Sequence, residues 1–105
     1  MTIRNARIEE AQLFIDDHGF LACVIKLDYG SSSQGFGIFE LYNPAICQDA
    51  FAGHFLMSVM RIADVYDWKY LIGKIIRVKV DDGLIKSIGH VIKEDWFTPT
   101  DFFKK

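Results

Sequence analysis

The sequence predicts an α+β fold in which a mostly antiparallel sheet of about five strands packs against one main helix and one short one. Three observations lead there. Apolar runs on either side of Asp16-Asp17-His18-Gly19 and Asp81-Asp82-Gly83 read as two hairpins. Between them, over about 50–64, the apolar period lengthens to that of a helix. No linker, low-complexity segment or internal repeat interrupts the chain, so 1–105 is read as a single domain.

The elements follow in order. Residues 3–15 hold short apolar runs that end in Leu13-Phe14-Ile15. Gly19 takes positive φ at no steric cost and turns the chain. The return, 20–29, is nearly all apolar, which suits a strand covered on both faces. Residues 30–37, Gly-Ser-Ser-Ser-Gln-Gly-Phe-Gly, form the most loop-like segment, and Ile38-Phe39-Glu40-Leu41-Tyr42 beyond it alternates as a third strand closed by Asn43-Pro44. From Gln48 or Ala50 to Asp64, Phe51, Phe55, Val59 and Ile62 recur at helical spacing, with Gly53 weakening the first turns. A short helical turn is expected over 67–71, ended by Gly73. The second hairpin pairs 74–80 with 84–92, placing Arg77 and Lys79 on one face and Ile76, Val78 and Val80 on the other. The tail carries Trp96-Phe97 and Phe102-Phe103 around Pro99.

Composition narrows the function. Half the residues are hydrophobic and 14% aromatic, so a packed core is expected and some rings are left for a subunit or partner interface. Twelve basic against fourteen acidic residues give no basic excess, which argues against a long nucleic acid as partner. No apolar stretch approaches the ~20 residues that span a bilayer, and no signal-peptide core follows Met1, so a cytoplasmic protein away from membranes is expected. Cys23 and Cys47 lack a C-x-x-C spacing and read as small buried hydrophobes.

Catalytic patterns are absent from the sequence. His18, His54 and His90 stand at no metal-ligand spacing, and no serine or cysteine sits in a nucleophile motif. The carboxylate pairs Asp16-Asp17, Asp81-Asp82 and Glu94-Asp95 fall at turns, where solvation is their ordinary state. No catalytic residue, metal or cofactor is assigned, and the reading is a binding protein and not an enzyme.

Three constellations carry binding chemistry. The Gly-Ser loop is either a nest of backbone N–H groups for an anion or a plain connection. His90, next to Gly89 in an apolar strand, is either a satisfied structural imidazole or a site residue. The strip Arg77, Lys79, Lys86 and Lys93, with Trp96 and Phe97 beyond it, is either a solvated outer strand face or a place where cations hold phosphate and rings stack a base. Near-neutral charge favours a small phosphorylated ligand there.

A family resemblance sharpens this. Asp17-His18-Gly19 before an apolar strand, Gln34-Gly35-Phe36-Gly37 before the next, Trp68 with Leu71-x-Gly73-Lys74, Arg77-Val78, and Ile88-Gly89-His90-Val91-Ile92 leading to Trp96-Phe97-x-Pro99 resemble, in order and spacing, a family of small bacteriophage proteins. The resemblance extends to the Thoeris anti-defence sponges, phage proteins that sequester cyclic ADP-ribose-type signals, and in some cases cyclic trinucleotides, without cleaving them. It implies a cyclic nucleotide ligand, a homo-oligomer with pockets between subunits, and the cytoplasm of an infected host. Pocket walls would come from the first hairpin turn, the Gly-rich loop and the segment after Gly89-His90. The ligand-binding candidates are then Phe14, His18, Gln34, Phe36, Arg77, Lys79, His90, Lys93 and Trp96. Asp95 stands where such relatives often carry Lys or Arg, so a phosphate would fall to Lys93, Arg77 or Lys79. The rival readings are a phage protein that inhibits a host defence enzyme by docking through Trp96, Phe97, Phe102 and Phe103, and a small hydrolase or transferase acting on the same signals.

Overall fold

A computed structural model describes residues 2–30, 33–42 and 51–98. The fold is α+β. Six antiparallel strands form one curled sheet in the order β3-β2-β1-β4-β5-β6, with β1 at Thr2–Ile15, β2 at Leu21–Asp28, β3 at Ser33–Tyr42, β4 at Ile75–Asp81, β5 at Leu84–Gly89 and β6 at Trp96–Phe97. Among the described residues one helix, α1 (Phe51–Ala63), follows β3, and a 3₁₀ turn, Trp68–Tyr70, precedes β4.

β1 organises the molecule. Its first half pairs with β4, from Thr2↔Val80 to Arg7↔Ile75, and its second half pairs with β2, from Arg7↔Asp28 to Ile15↔Leu21. The changeover is a bulge between Ile8 and Glu10, which kinks the strand and lets one segment serve both halves. Ile8 there gives its N–H to Lys74 O and accepts from Gly73 N, so the kink leaves its backbone groups satisfied. The sheet curls until β3 approaches β5, with α1 packed on the concave side. The helix, placed between the third and fourth strands in the chain, packs against β3, β4, β5 and β6.

The core lies inside the curl. Ala6, Ile8, Cys23, Ile25 and Leu27 come from β1 and β2, and Ile76, Val78 and Ile88 from β4 and β5. Phe55, Val59 and Ile62 face them from α1, as the helical spacing predicts. Phe97 completes the layer with its ring edge-on to Phe55 at 5.6 Å. Cys23 is a free, buried thiol pushed up to about 12 by that burial. Cys47 lies outside the described residues.

Turn chemistry is local. Asp16 Oδ1 accepts from the N–H groups of His18 and Phe20, and Gly19 takes φ +81°. Asp82 and Gly83 form a two-residue loop with both φ positive, 54° and 76°, as a type I′ hairpin requires. The 3₁₀ turn is capped by Asp67, whose side chain accepts from Lys69 N, and is pinned to β1 by Trp68 Nε1 donating to Ala11 O at 3.2 Å. No described helix is long and apolar enough to cross a membrane.

The expected sheet of about five strands is present, with six strands among the described residues, because Trp96-Phe97 adds a short edge strand to β5. Two expectations change. The third strand starts at Ser33, so the Gly35-Phe36-Gly37 run belongs to the sheet; Gln34 pairs with Leu27 and Phe36 with Ile25. Glycines on both sides of Phe36 give a loop signal that cross-strand pairing overrides. α1 starts at Phe51 among the described residues; the other proposed start positions, 48–50, lie outside them.

Candidate functional site

The outer face of β4, β5 and β6 gathers the predicted cations around one ring. Register places Arg77 opposite Gly89, and Gly89 opposite Trp96, so the three stand in one row across three strands. Gly89 has no side chain, and the indole of Trp96 lies flat over it. Arg77 Cζ then sits 4.9 Å from the ring centroid, and Lys79 Nζ, two residues along the same face, sits 4.3 Å from it. Both distances are within reach of a cation–π attraction.

Arg77 does more than meet the ring. Its Nε donates to His90 O at 2.8 Å and its Nη2 to Lys93 O at 2.7 Å, tying the 90–95 loop down to β4. Nη1 and Nη2 both stand 3.4 Å from Glu94 Oε1, and Trp96 Nε1 donates to Glu94 Oε2 at 3.0 Å. The Trp96 hydrogen bond, then the Arg77 charge, hold the Glu94 carboxyl below the usual carboxylate range, with a smaller pull from Lys79. The guanidinium is thus a fixed, mostly covered group, 17% exposed, while Glu94 is 79% exposed.

His90 is satisfied from inside the loop. Its Nδ1 accepts from Ile92 N at 3.0 Å and Lys93 N at 3.1 Å, so this nitrogen carries no proton and the imidazole acts as a cap. Its Nε2 is 4.0 Å from Asp64 Oδ2 at the end of α1. His90 N also donates to Asp95 O. The imidazole is thus held from within the loop, at the edge of the cation–indole cluster.

Asp95, the position out of step with the resemblance, pairs with Arg61 of α1 through two bonds of 2.9 and 3.1 Å. Those bonds lower its carboxyl pKa. The loop is therefore clamped from two sides, by Arg77 on the sheet and Arg61 on the helix.

The candidates do not all meet. Arg77, Lys79, His90, Lys93 and Trp96 share one region, with Lys93 exposed on the loop. Phe14 and His18 lie at the far end of β1, and the run from Asn5, which faces Arg77, to Phe14 is roughly 30 Å of strand at about 3.3 Å per residue. His18 is exposed and stacks on Phe20 at 5.7 Å. Phe36 is corrected outright: at 1% exposure it belongs to the core, because β3 turns it inward beside Ile25. Gln34 is in β3, and its side chain lies outside the described residues. Phe97, a proposed docking residue, is likewise buried under α1, and Phe102 and Phe103 are outside the described residues. Lys86 falls at the register shift of β5 and does not join the row.

The sequence reads Glu94 and Asp95 as solvated turn charges and does not single out Arg61. The Glu94-x-Trp96 spacing was the available signal for the first. A separate open depression of about 310 Å³ is lined by Asn5, Arg7, Asp28, Gly30 and Ile75, farther along the outer side of β1 and β4. No group of metal-ligating side chains gathers among the described residues. No family model, curated protein or solved structure matches this chain.

Proposed function

We propose that this domain is a non-catalytic binder of a small phosphorylated ligand bearing a flat ring, taken on the outer face of β4, β5 and β6. The observation that carries the reading is the convergence of Lys79 and Arg77 on an indole held flat by Gly89. Two cations answer a phosphate, and a fixed ring answers a base. Lys79 lies over the ring and, among the described residues, forms no salt bridge, feeling Glu94 only weakly, so its ammonium is ready to turn to a ligand.

The flank formed by β1 and β2 fits such chemistry poorly. Its outward residues include Glu10, Gln12, Phe14 and Lys26, and the two hairpin turns are acidic at Asp16-Asp17 and Asp81-Asp82. A long single strand finds little positive potential there.

In the finer form of this reading, the ligand is a cyclic nucleotide signal of anti-phage defence, sequestered by a phage protein in the host cytoplasm. The pocket is then completed by a second copy. Phe14 and His18 stand far from Trp96 within one protomer, so only a neighbour brings them together. Exposed Ile3 and Ile75 on the same outer face, with Val91 and Ile92 on the loop, supply apolar surface for that contact. The same residues support the docking alternative, in which they meet a host enzyme.

The test is calorimetry with cyclic ADP-ribose, ADP-ribose and 3′,5′-cyclic AMP, alongside light scattering of the eluting protein. The expected result is binding of at least one at micromolar strength, about 8 kcal/mol, with the ligand recovered unchanged after heat denaturation. No heat with any of the three removes the reading, a recovered product makes the protein an enzyme, and a strict monomer removes the shared pocket. Trp96→Ala that keeps nucleotide binding but loses a host partner favours docking.

A further inference from the structure

Glu94 stands where the proposed ligand's anion would have to go. Its two oxygens take the indole N–H of Trp96 at 3.0 Å and the two terminal nitrogens of Arg77 at 3.4 Å, with Lys79 close enough to pull its carboxyl down. The donors are fixed without it. Arg77 is anchored by the carbonyls of His90 and Lys93, and Trp96 by its seat on Gly89. The carboxylate itself is 79% exposed, so it can swing into solvent while the donors stay in place.

We propose that Glu94 is a resident competitor for an anion subsite formed by Arg77, Trp96 and Lys79, and that a phosphate of the incoming ligand displaces it. The inference rests on the reading of this face as a phosphate-binding one and adds how the site is kept occupied when empty of ligand. A planar guanidinium edge, an indole N–H and an ammonium present directed donors to the oxygens of one phosphate. An exposed carboxylate at 3.4 Å is a weak occupant, because surface ion pairs are worth at most about 1 kcal/mol. A phosphate dianion with three oxygens replaces it at small cost. The carboxylate keeps the cations from holding inorganic anions indiscriminately, and it lowers affinity for the ligand by the cost of its own expulsion.

The experiment compares wild type, Glu94→Gln and a charge control on β1, Glu10→Gln, exposed opposite Lys26, by calorimetry with ADP-ribose and with inorganic pyrophosphate. The expected result is roughly five- to twentyfold tighter binding of both probes by Glu94→Gln, from loss of the pair and of repulsion, with no change for Glu10→Gln. Equal tightening by both variants is general electrostatics and overturns the inference. Wild type binding with Glu94→Gln unchanged or weaker overturns it as well, while the proposed function stands. Failure of both proteins to bind either probe removes the subsite and the proposed function together. Glu94→Asp, which keeps the charge on a shorter stem, serves as a second variant and is expected to fall between wild type and Glu94→Gln.

Discussion

Gly89 and Trp96 face each other across β5 and β6, and the indole lies so close that a Cβ at position 89 would stand 2.5 Å from Trp96 Cε3. The neighbour that must give is a ring, not the tip of a flexible chain. Gly89→Ala therefore lifts the indole off the sheet and separates it from Arg77 and Lys79. Overpacking of this kind costs about 1–3 kcal/mol. The expected outcome is a lower midpoint in urea and a changed tryptophan emission spectrum, read against a Trp68→Phe background. An unchanged spectrum in that background shows that the ring does not rest on Gly89.

Arg77 is the clamp of the 90–95 loop, and only an arginine can reach both carbonyls. Its Nε and Nη2 bond two carbonyls three residues apart, from a side chain 17% exposed. Arg77→Met leaves those carbonyls without their charged donor, at about 2–3 kcal/mol. Arg77→Lys recovers little, since an ammonium lacks the planar fork. Hydrogen exchange is expected to rise at Ile92 and Lys93, whose N–H groups depend on His90 staying in place. A lysine variant as stable as wild type would count against the clamp.

Much of this was legible in the chain, and the failures have physical causes. The hairpin turns were plain because Asp16, Gly19, Asp82 and Gly83 each do local work. The face shared by Arg77 and Lys79 follows from strand alternation alone. β1 was harder to see whole. Ala6 and Ile8 are buried on even positions, and the bulge at Glu9 shifts the phase so that Ala11 faces the interior. A strand whose inward parity changes midway shows no single period. Phe36 was misplaced because Gly35 and Gly37 imitate a loop, and β6 is too short to leave a pattern. The Glu94 and Asp95 contacts depend on partners at Arg77 and Arg61, which spacing does not reveal.

The two loop carboxylates give a pH dependence with a definite sign. Glu94 and Asp95 are both held below their ordinary values of 4.5 and 3.8, chiefly by hydrogen bonds from Trp96 and Arg61. Groups depressed in the folded state stabilise it above the unfolded pKa, and that stability is lost as pH falls through the folded value. Stability is expected to be flat with respect to these two groups from pH 7 to about 5 and to drop under more acidic conditions. Both groups are solvent-screened, so the drop should shrink in high salt. Melting curves of the Glu94→Gln, Asp95→Asn double variant check this: its acid limb should be shallower than that of wild type, and parallel curves would refute the assignment.

The end of α1 stores strain that one substitution releases. Asp64 sits at φ +61°, with its N–H donating to Arg61 O and the next N–H, of Val65, to Met60 O. That is the Schellman arrangement, whose left-handed residue is usually glycine. An L side chain in this conformation costs roughly 1–2 kcal/mol. Against that stands one contact, Asp64 Oδ2 to His90 Nε2 at 4.0 Å, from a carboxylate 79% exposed. Such a pair is worth at most about 1 kcal/mol, and in this open setting far less. Relief of strain therefore wins, and Asp64→Gly is expected to raise stability by about 0.5–1 kcal/mol. Asp64→Ala separates the two contributions, because it keeps the strain while losing the carboxylate. If Asp64→Gly proves neutral while Asp64→Ala is destabilising, the His90 contact is worth about as much as the strain and serves to hold the loop against the helix.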